Sequence, residues 1–207
     1  MLTRRRLILA GCVVACAAMP GVLFLRRGTP MADDEKRELL DRLARLGPLP
    51  NDDAIAQAQL DEFGDIIDRI GAFVPPDPDY IRPLLNTFGY GDGFALYVHG
   101  ANALLKQERE AVVAAALDTL EAGRDGPRQW AMETLRRMRE GDRGNPAPSD
   151  REVRLVEAAL RGPELVAESA VYWGYWVEGA AGRRILELGS RVAPGRLRAL
   201  AAELLAE

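Results

Sequence analysis

The chain has 207 residues, 48% of them apolar and 28% charged, with 27 lysines and arginines against 31 acids. That balance excludes a disordered polar tract and a multi-span membrane protein, and the length suits one domain, or one domain plus an anchor. Five cations and no acid fall in residues 1–30, so the remaining 177 residues keep 22 cations against 31 acids; a net −9 repels nucleic-acid phosphate.

At the N-terminus, Arg4, Arg5 and Arg6 precede an uncharged run from Leu7 to Leu25, which Arg26 and Arg27 close. As a helix this run would span about 28 Å, the thickness of a bilayer's hydrocarbon core. It reads as one N-terminal hydrophobic helix, and three readings of residues 1–30 are open. One is an uncleaved membrane anchor. The second is an export signal: Thr3-Arg4-Arg5-Arg6-Leu7-Ile8-Leu9 resembles the twin-arginine pattern, Ala15-Cys16-Ala17 offers a cleavage site, and the stretches ending at Cys12 and Cys16 resemble lipoboxes. The third is a misassigned extension ahead of a start at Met31. The first two place the protein in a bacterial cell envelope, with membrane contact through residues 7–25; the third leaves it in the cytoplasm.

The body, residues 31–207, shows helical periodicity and no strand alternation. Leu39, Leu40, Leu43 and Leu46 share a helix face that Gly47-Pro48 ends. A second helix is predicted from Asp53 to Phe73, stopped by Pro75-Pro76-Asp77-Pro78. Shorter helices are predicted from Asp79 to Phe88 and Phe94 to Leu105 across Gly89-Tyr90-Gly91-Asp92-Gly93, then from Glu108 to Ala122 and Pro127 to Glu140 across Gly123-Arg124-Asp125-Gly126. After a polar linker from Gly141 to Pro148, Ser149-Asp150-Arg151-Glu152 has capping-box spacing. That helix runs to Gly162-Pro163, and others carry Val166–Val177, Arg184–Val192 and Arg196–Ala206.

These segments repeat. At an offset of 36, Gly126-Pro127 falls on Gly162-Pro163, Trp130-Ala131 on Val166-Ala167 and Leu135 on Val171, with Leu117 on Val153 and Leu120 on Val156. At an offset of 32, Leu85 falls on Leu117 and Phe88 on Leu120. A two-helix unit of this length predicts an all-α fold, a HEAT-like α-solenoid, with an irregular helical array as the alternative.

Arg82-Pro83-Leu84-Leu85 and Pro127-Arg128-x-x-Ala131-x-x-x-Leu135 resemble the paired helices of HEAT-type repeats. The stretch from Tyr80 to Phe94, with Gln129-Trp130-Ala131 downstream, is similar to bacterial HEAT-like immunity proteins of polymorphic toxin systems, over about residues 55–140. The resemblance implies protein binding without catalysis, with a toxin domain as partner, and carries over no functional residues.

Few residues invite chemistry. Both cysteines lie in the first thirty residues and His99 is the lone histidine, so no metal, haem or other cofactor is expected. His99 and Asp92 could form an acid–base couple, but helical spacing sets them about 10 Å apart, and His99 reads as structural or partner-contacting. Ser149, Ser169 and Ser190 sit in no nucleophile elbow. Gly91, Asp92 and Gly93 read as a tight turn whose Asp92 caps the next helix, not as a phosphate loop, because no strand precedes them. Asp77 and Asp79 match no calcium loop and read as solvated or capping groups. Glu108, Glu110 and Asp118 read as a solvated face, and Arg136, Arg137 and Arg139 as complements to a helix dipole.

Tyr172, Trp173, Tyr175 and Trp176 are the candidate partner-binding cluster. Four large aromatics in five residues cannot share one stripe, so at least one reaches the surface, while the others can fill a joint between helical layers. The functional expectation is a non-catalytic helical-repeat protein that binds a basic partner such as a toxin domain; the alternative is an envelope scaffolding or assembly subunit.

Overall fold

The computed structural model describes residues 32–72, 77–140 and 146–207, which form ten α-helices and no strand. The fold is all-α, as the periodicity predicts. The hydrophobic run Leu7–Leu25 lies outside the described residues. Among those described, no helix is long and apolar enough to cross a membrane.

Helix α1 (Asp33–Leu46) opens with three acids in its first turn and ends at Gly47, whose φ of +58° suits glycine. Helix α2 (Gln57–Ala72) starts four residues later than the periodicity predicts. Residues 52–54 form a turn that frees Asp52 for a contact forty residues away, and the Gln59 side chain accepts the Ala56 amide. A 3-10 turn (Pro78–Tyr80), capped by Asp77, leads into α3 (Ile81–Thr87). Lys36 of α1 grips both Asp77 and Asp79, at 2.7 and 2.6 Å, so these carboxylates tie the turn to α1 as well as capping it.

Helix α4 (Leu96–Leu105) begins two residues late because Phe94 and Ala95 have φ of +55° and +68°, outside the helical region. Helices α5 (Arg109–Ala122) and α6 (Asp125–Arg139) follow. The latter takes in Gly126 and Pro127, predicted as turn and first helical residue; proline is tolerated in a first turn, where its missing N–H has no partner to lose. Next come α7 (Asp150–Ala159), α8 (Glu164–Trp176), α9 (Ala180–Val192) and α10 (Leu197–Ala206).

The helices stack in two rows. In the odd row α1 contacts α3, α3 contacts α5, α5 contacts α7 and α7 contacts α9. In the even row the same succession runs from α2 through α4, α6 and α8 to α10. Neighbours such as α5 and α6, or α9 and α10, pack across the rows, so each amphipathic stripe is covered from two sides. A single apolar cluster results, running from Leu39 in α1 to Ala201 in α10. Of the positions matched at an offset of 36, Trp130 and Val166, Ala131 and Ala167, Leu135 and Val171, and Leu120 and Val156 are buried alike, whereas Leu117, Gly126 and Pro127 are buried and Val153, Gly162 and Pro163 are half-buried.

Buried polar contacts fasten successive helices. The Arg139 guanidinium of α6 donates to both oxygens of Glu152 in α7, at 2.9 and 2.8 Å, and Trp173 Nε1 of α8 donates to the same carboxylate at 3.0 Å. The capping box is therefore half formed. Ser149 Oγ accepts the Glu152 amide at 3.2 Å, but the Glu152 side chain turns inward to Arg139 instead of reaching back. In the odd row, Asp118 of α5 bridges Arg82 of α3 and Arg151 of α7, so this predicted solvated residue links three helices.

Candidate functional site

Under the Gly-rich turn lies an aromatic knot. Phe63 of α2, Phe88, Tyr97 of α4 and Trp130 of α6 pack mostly edge to face with ring centroids 5.3–5.7 Å apart. Burial pushes the Tyr97 hydroxyl up to about 12, against a smaller downward pull from the neighbouring Gly89 backbone.

The turn itself is clamped from two elements, the 52–54 turn and α6. Asp52 accepts the amides of Asp92 and Gly93, both at 2.9 Å, filling with a carboxylate the place an anionic ligand would take. Gln129 of α6 bonds both polar groups of Gly91 at 2.8 Å, and Trp130 Nε1 donates to the Gly91 carbonyl at 3.1 Å. Gly91 and Gly93 have φ of +122° and +57°, as a tight turn requires. Asp92 does not cap α4: its carboxylate accepts the Phe94 amide at 2.8 Å, and the N-cap residue Ala95 offers no side-chain bond. His99 is exposed on α4, beyond the turn that contains Asp92, so helical spacing does not relate the two residues.

Beside this turn, between α6 and α8, opens a cleft of about 650 Å³. Trp130, Tyr172 and Trp176 give it aromatic walls, and Leu165 adds an aliphatic one. Five carboxylates (Asp52, Asp92, Glu133, Glu140 and Glu168) and one guanidinium, Arg136, line it, a formal balance of −4. Burial alone would push the Glu133 carboxyl up, but hydrogen bonds and charges of Arg136 and Arg137 outweigh it and hold the group below its ordinary value. Glu133 also accepts from Ser169 Oγ of α8 at 3.1 Å, a contact between residues 36 apart.

The aromatic quartet divides. Trp173 is fully buried with its indole N–H on Glu152, so it is a core residue and not a partner contact. Tyr172 is half-buried in the cleft wall. Tyr175 and Trp176 are each 36% exposed and stack edge to face at 5.2 Å. Tyr175 also donates to Glu207 at 3.1 Å.

The groove linings differ in charge. A second even-row groove, along α2 and the start of α4, is lined by Asp61, Asp65 and Asp68 and by no cation. Two grooves on the odd row are cationic: one beside α1 and α3 carries Arg82 and Arg124 with no acid, and one between α7 and α9 carries three arginines against two glutamates.

Asp52, Glu133, Glu140 and Glu168 escaped the sequence reading because no local motif marks them. Their roles come from contacts across the fold. Among the described residues no three His, Cys, Asp or Glu side chains gather as a metal-ligand set. Comparison with known proteins finds no matching family model, curated protein or solved structure.

Proposed function

We propose that the protein is a non-catalytic, protein-binding helical-repeat protein of the HEAT-like α-solenoid kind, whose even row captures a basic partner protein. The observation that carries this is the α6–α8 cleft, where partly exposed aromatics stand among five carboxylates, with Arg136 in the lining and Arg137 and Arg196 paired to Glu133 and Glu168 from outside it. An aromatic face beside carboxylates suits lysine and arginine side chains, which gain both ion pairing and cation–π attraction there. Two-row stacking and the Glu133–Ser169 contact at the repeat offset support the solenoid reading. Following the resemblance, the partner class is a toxin domain, neutralised by occlusion.

The cleft's half-buried carboxylate is not set up as a proton donor. Glu133 is fixed as an anion by two arginines and so makes a poor general acid. Affinity purification from the native host, with mass spectrometry of co-purifying proteins, tests the reading. Trp176→Ala and Glu168→Gln are each expected to weaken retention of a basic partner about tenfold with an unchanged thermal midpoint. Retention that both substitutions leave unchanged overturns the cleft as the binding site.

A second reading, an envelope scaffolding subunit, is favoured by the nineteen uncharged residues from Leu7 to Leu25 between arginine clusters. Cell fractionation with N-terminal sequencing decides it: a membrane-held product retaining Leu7–Leu25 supports it, and a product starting at Met31 or Ala32 sinks it.

A further inference from the structure

Phe94 is 68% exposed, well above the 36–37% of the next most exposed large apolar side chains among the described residues. Its φ is +55° and that of Ala95 is +68°, so two successive residues with side chains occupy the left-handed region, where Cβ crowds the backbone. Slack does not explain the conformation. Asp52 holds the amides on the N-terminal side, Asp92 holds the Phe94 amide itself, and Gln129 and Trp130 hold Gly91. The loop is thus fastened in a costly shape that keeps a benzyl group in water, a pattern that recurs at binding surfaces.

The flanks of Phe94 share one sign of charge. Gly91 and Asp92 line the α6–α8 cleft, whose balance is −4. The next two residues, Gly93 and Phe94, line the α2 groove, of about 730 Å³, whose walls carry Asp61, Asp65 and Asp68. The Asp65 charge is offset by Arg42 at 2.7 Å, a residue outside the groove's lining, so Asp61 and Asp68 carry the groove's acidity. Its apolar floor is Leu60, Gly64 and Leu96. The turn is therefore a ridge between two acidic depressions, with an apolar anchor on its crest.

We propose that Phe94 is the central hot-spot residue of one docking surface that runs from the α2 groove over the ridge into the α6–α8 cleft, and that its occupant is a basic, amphipathic polypeptide segment of the partner. This rests on the function proposed above and extends it from one cleft to a surface spanning α2 to α8. Carboxylates on both flanks steer a cationic segment and reject acidic chains. Phe94 supplies the desolvated contact that holds it, because large apolar anchors surrounded by polar rims dominate interface energies.

The test uses the purified chain and a fluorescent peptide of lysine and leucine in amphipathic order, with a glutamate-for-lysine peptide as control, by anisotropy at physiological salt. The lysine peptide is expected to bind and the glutamate peptide not to. Phe94→Ser is expected to weaken binding about tenfold, and Asp61→Asn with Asp68→Asn to weaken it several-fold. Phe94→Gly, which removes the ring and the left-handed penalty together, is expected to melt no lower than the parent. Full affinity in Phe94→Ser with lost affinity in Trp176→Ala overturns the ridge and leaves the cleft standing. Failure of the parent to prefer the lysine peptide overturns both. A marked fall in the Phe94→Gly melting temperature makes Phe94 a packing residue and also overturns the inference.

Discussion

Replacing Glu152 by alanine isolates the fastening between α6, α7 and α8. In the folded protein the Arg139 side chain is 6% exposed and the Glu152 side chain 3%, and the pair is bidentate. The substitution takes the carboxylate from a guanidinium that also donates to the Pro146 carbonyl, and takes the acceptor from Trp173 Nε1. Breaking a buried pair from one side costs about 3–5 kcal/mol, because the surviving charge stays out of water. A stranded indole N–H costs about 1–3 kcal/mol alone, but water entering the same space serves both groups, so the costs do not add. We expect a loss of about 4 kcal/mol, a large share of the 5–15 kcal/mol typical of a domain. At this chain length that lowers the melting temperature by about 8–16 °C.

Urea unfolding followed by circular dichroism measures the loss directly. Arg139→Met combined with Glu152→Met removes both charges and fills the space, so it is expected to cost less than Glu152→Ala alone. A loss below about 1 kcal/mol for Glu152→Ala, or a double variant as unstable as the sum of its singles, refutes a desolvated pair that works as a unit.

Two other substitutions probe the elements that carry the site. A Cβ at Gly126 would stand 2.5 Å from the Gly89 carbonyl carbon and 2.7 Å from the Phe88 oxygen, both backbone; Gly126→Ala is expected to cost about 1–3 kcal/mol, and an unchanged thermal melt would deny the close approach of α6 to the Gly-rich turn. Glu133 has a folded-state value below that of the unfolded chain, so its contribution is full above about pH 4.3 and drains away as pH falls through the lower folded value. Glu133→Gln should therefore flatten the acid limb of the stability–pH curve, and an unaltered slope in acid urea titrations would refute the clamp.

The helices were legible because each carries its own apolar stripe, as Leu60, Phe63, Ile66, Ile67 and Ile70 do on α2. Boundaries went astray where distant groups reach into the chain. Helix α2 starts late because Asp52 serves the Gly-rich turn forty residues on, and α4 starts late because the same clamp holds Phe94 and Ala95 in the left-handed region. The capping-box spacing at Ser149 accounted for Glu152 locally and so hid its long-range partners, Arg139 and Trp173. The aromatic quartet stood out in the sequence, but its division did not. Which of Trp173 and Trp176 faces inward depends on the packing of α8 against α7 and α9, where Gly174 lets Ile185 approach.

The contrast between the groove linings of the two rows follows from the same helical geometry. A two-row stack gives every helix one buried stripe and one outer face, so odd and even helices place their outer residues on opposite sides of the protein. Odd-row acids are taken up by arginines on adjacent helices, as Asp118 is by Arg82 and Arg151 and Glu157 by Arg184, and further arginines leave the odd-row grooves cationic. In the even-row grooves the acids outnumber the cations, and the exposed aromatics Phe94 and Trp176 stand there too. Separation of this kind does little for stability, since exposed pairs contribute at most about 1 kcal/mol each. Its physical consequence lies outside the molecule: the acidic linings of the even-row grooves attract a basic partner, and Tyr172, Trp176 and Phe94 offer it aromatic surface on arrival.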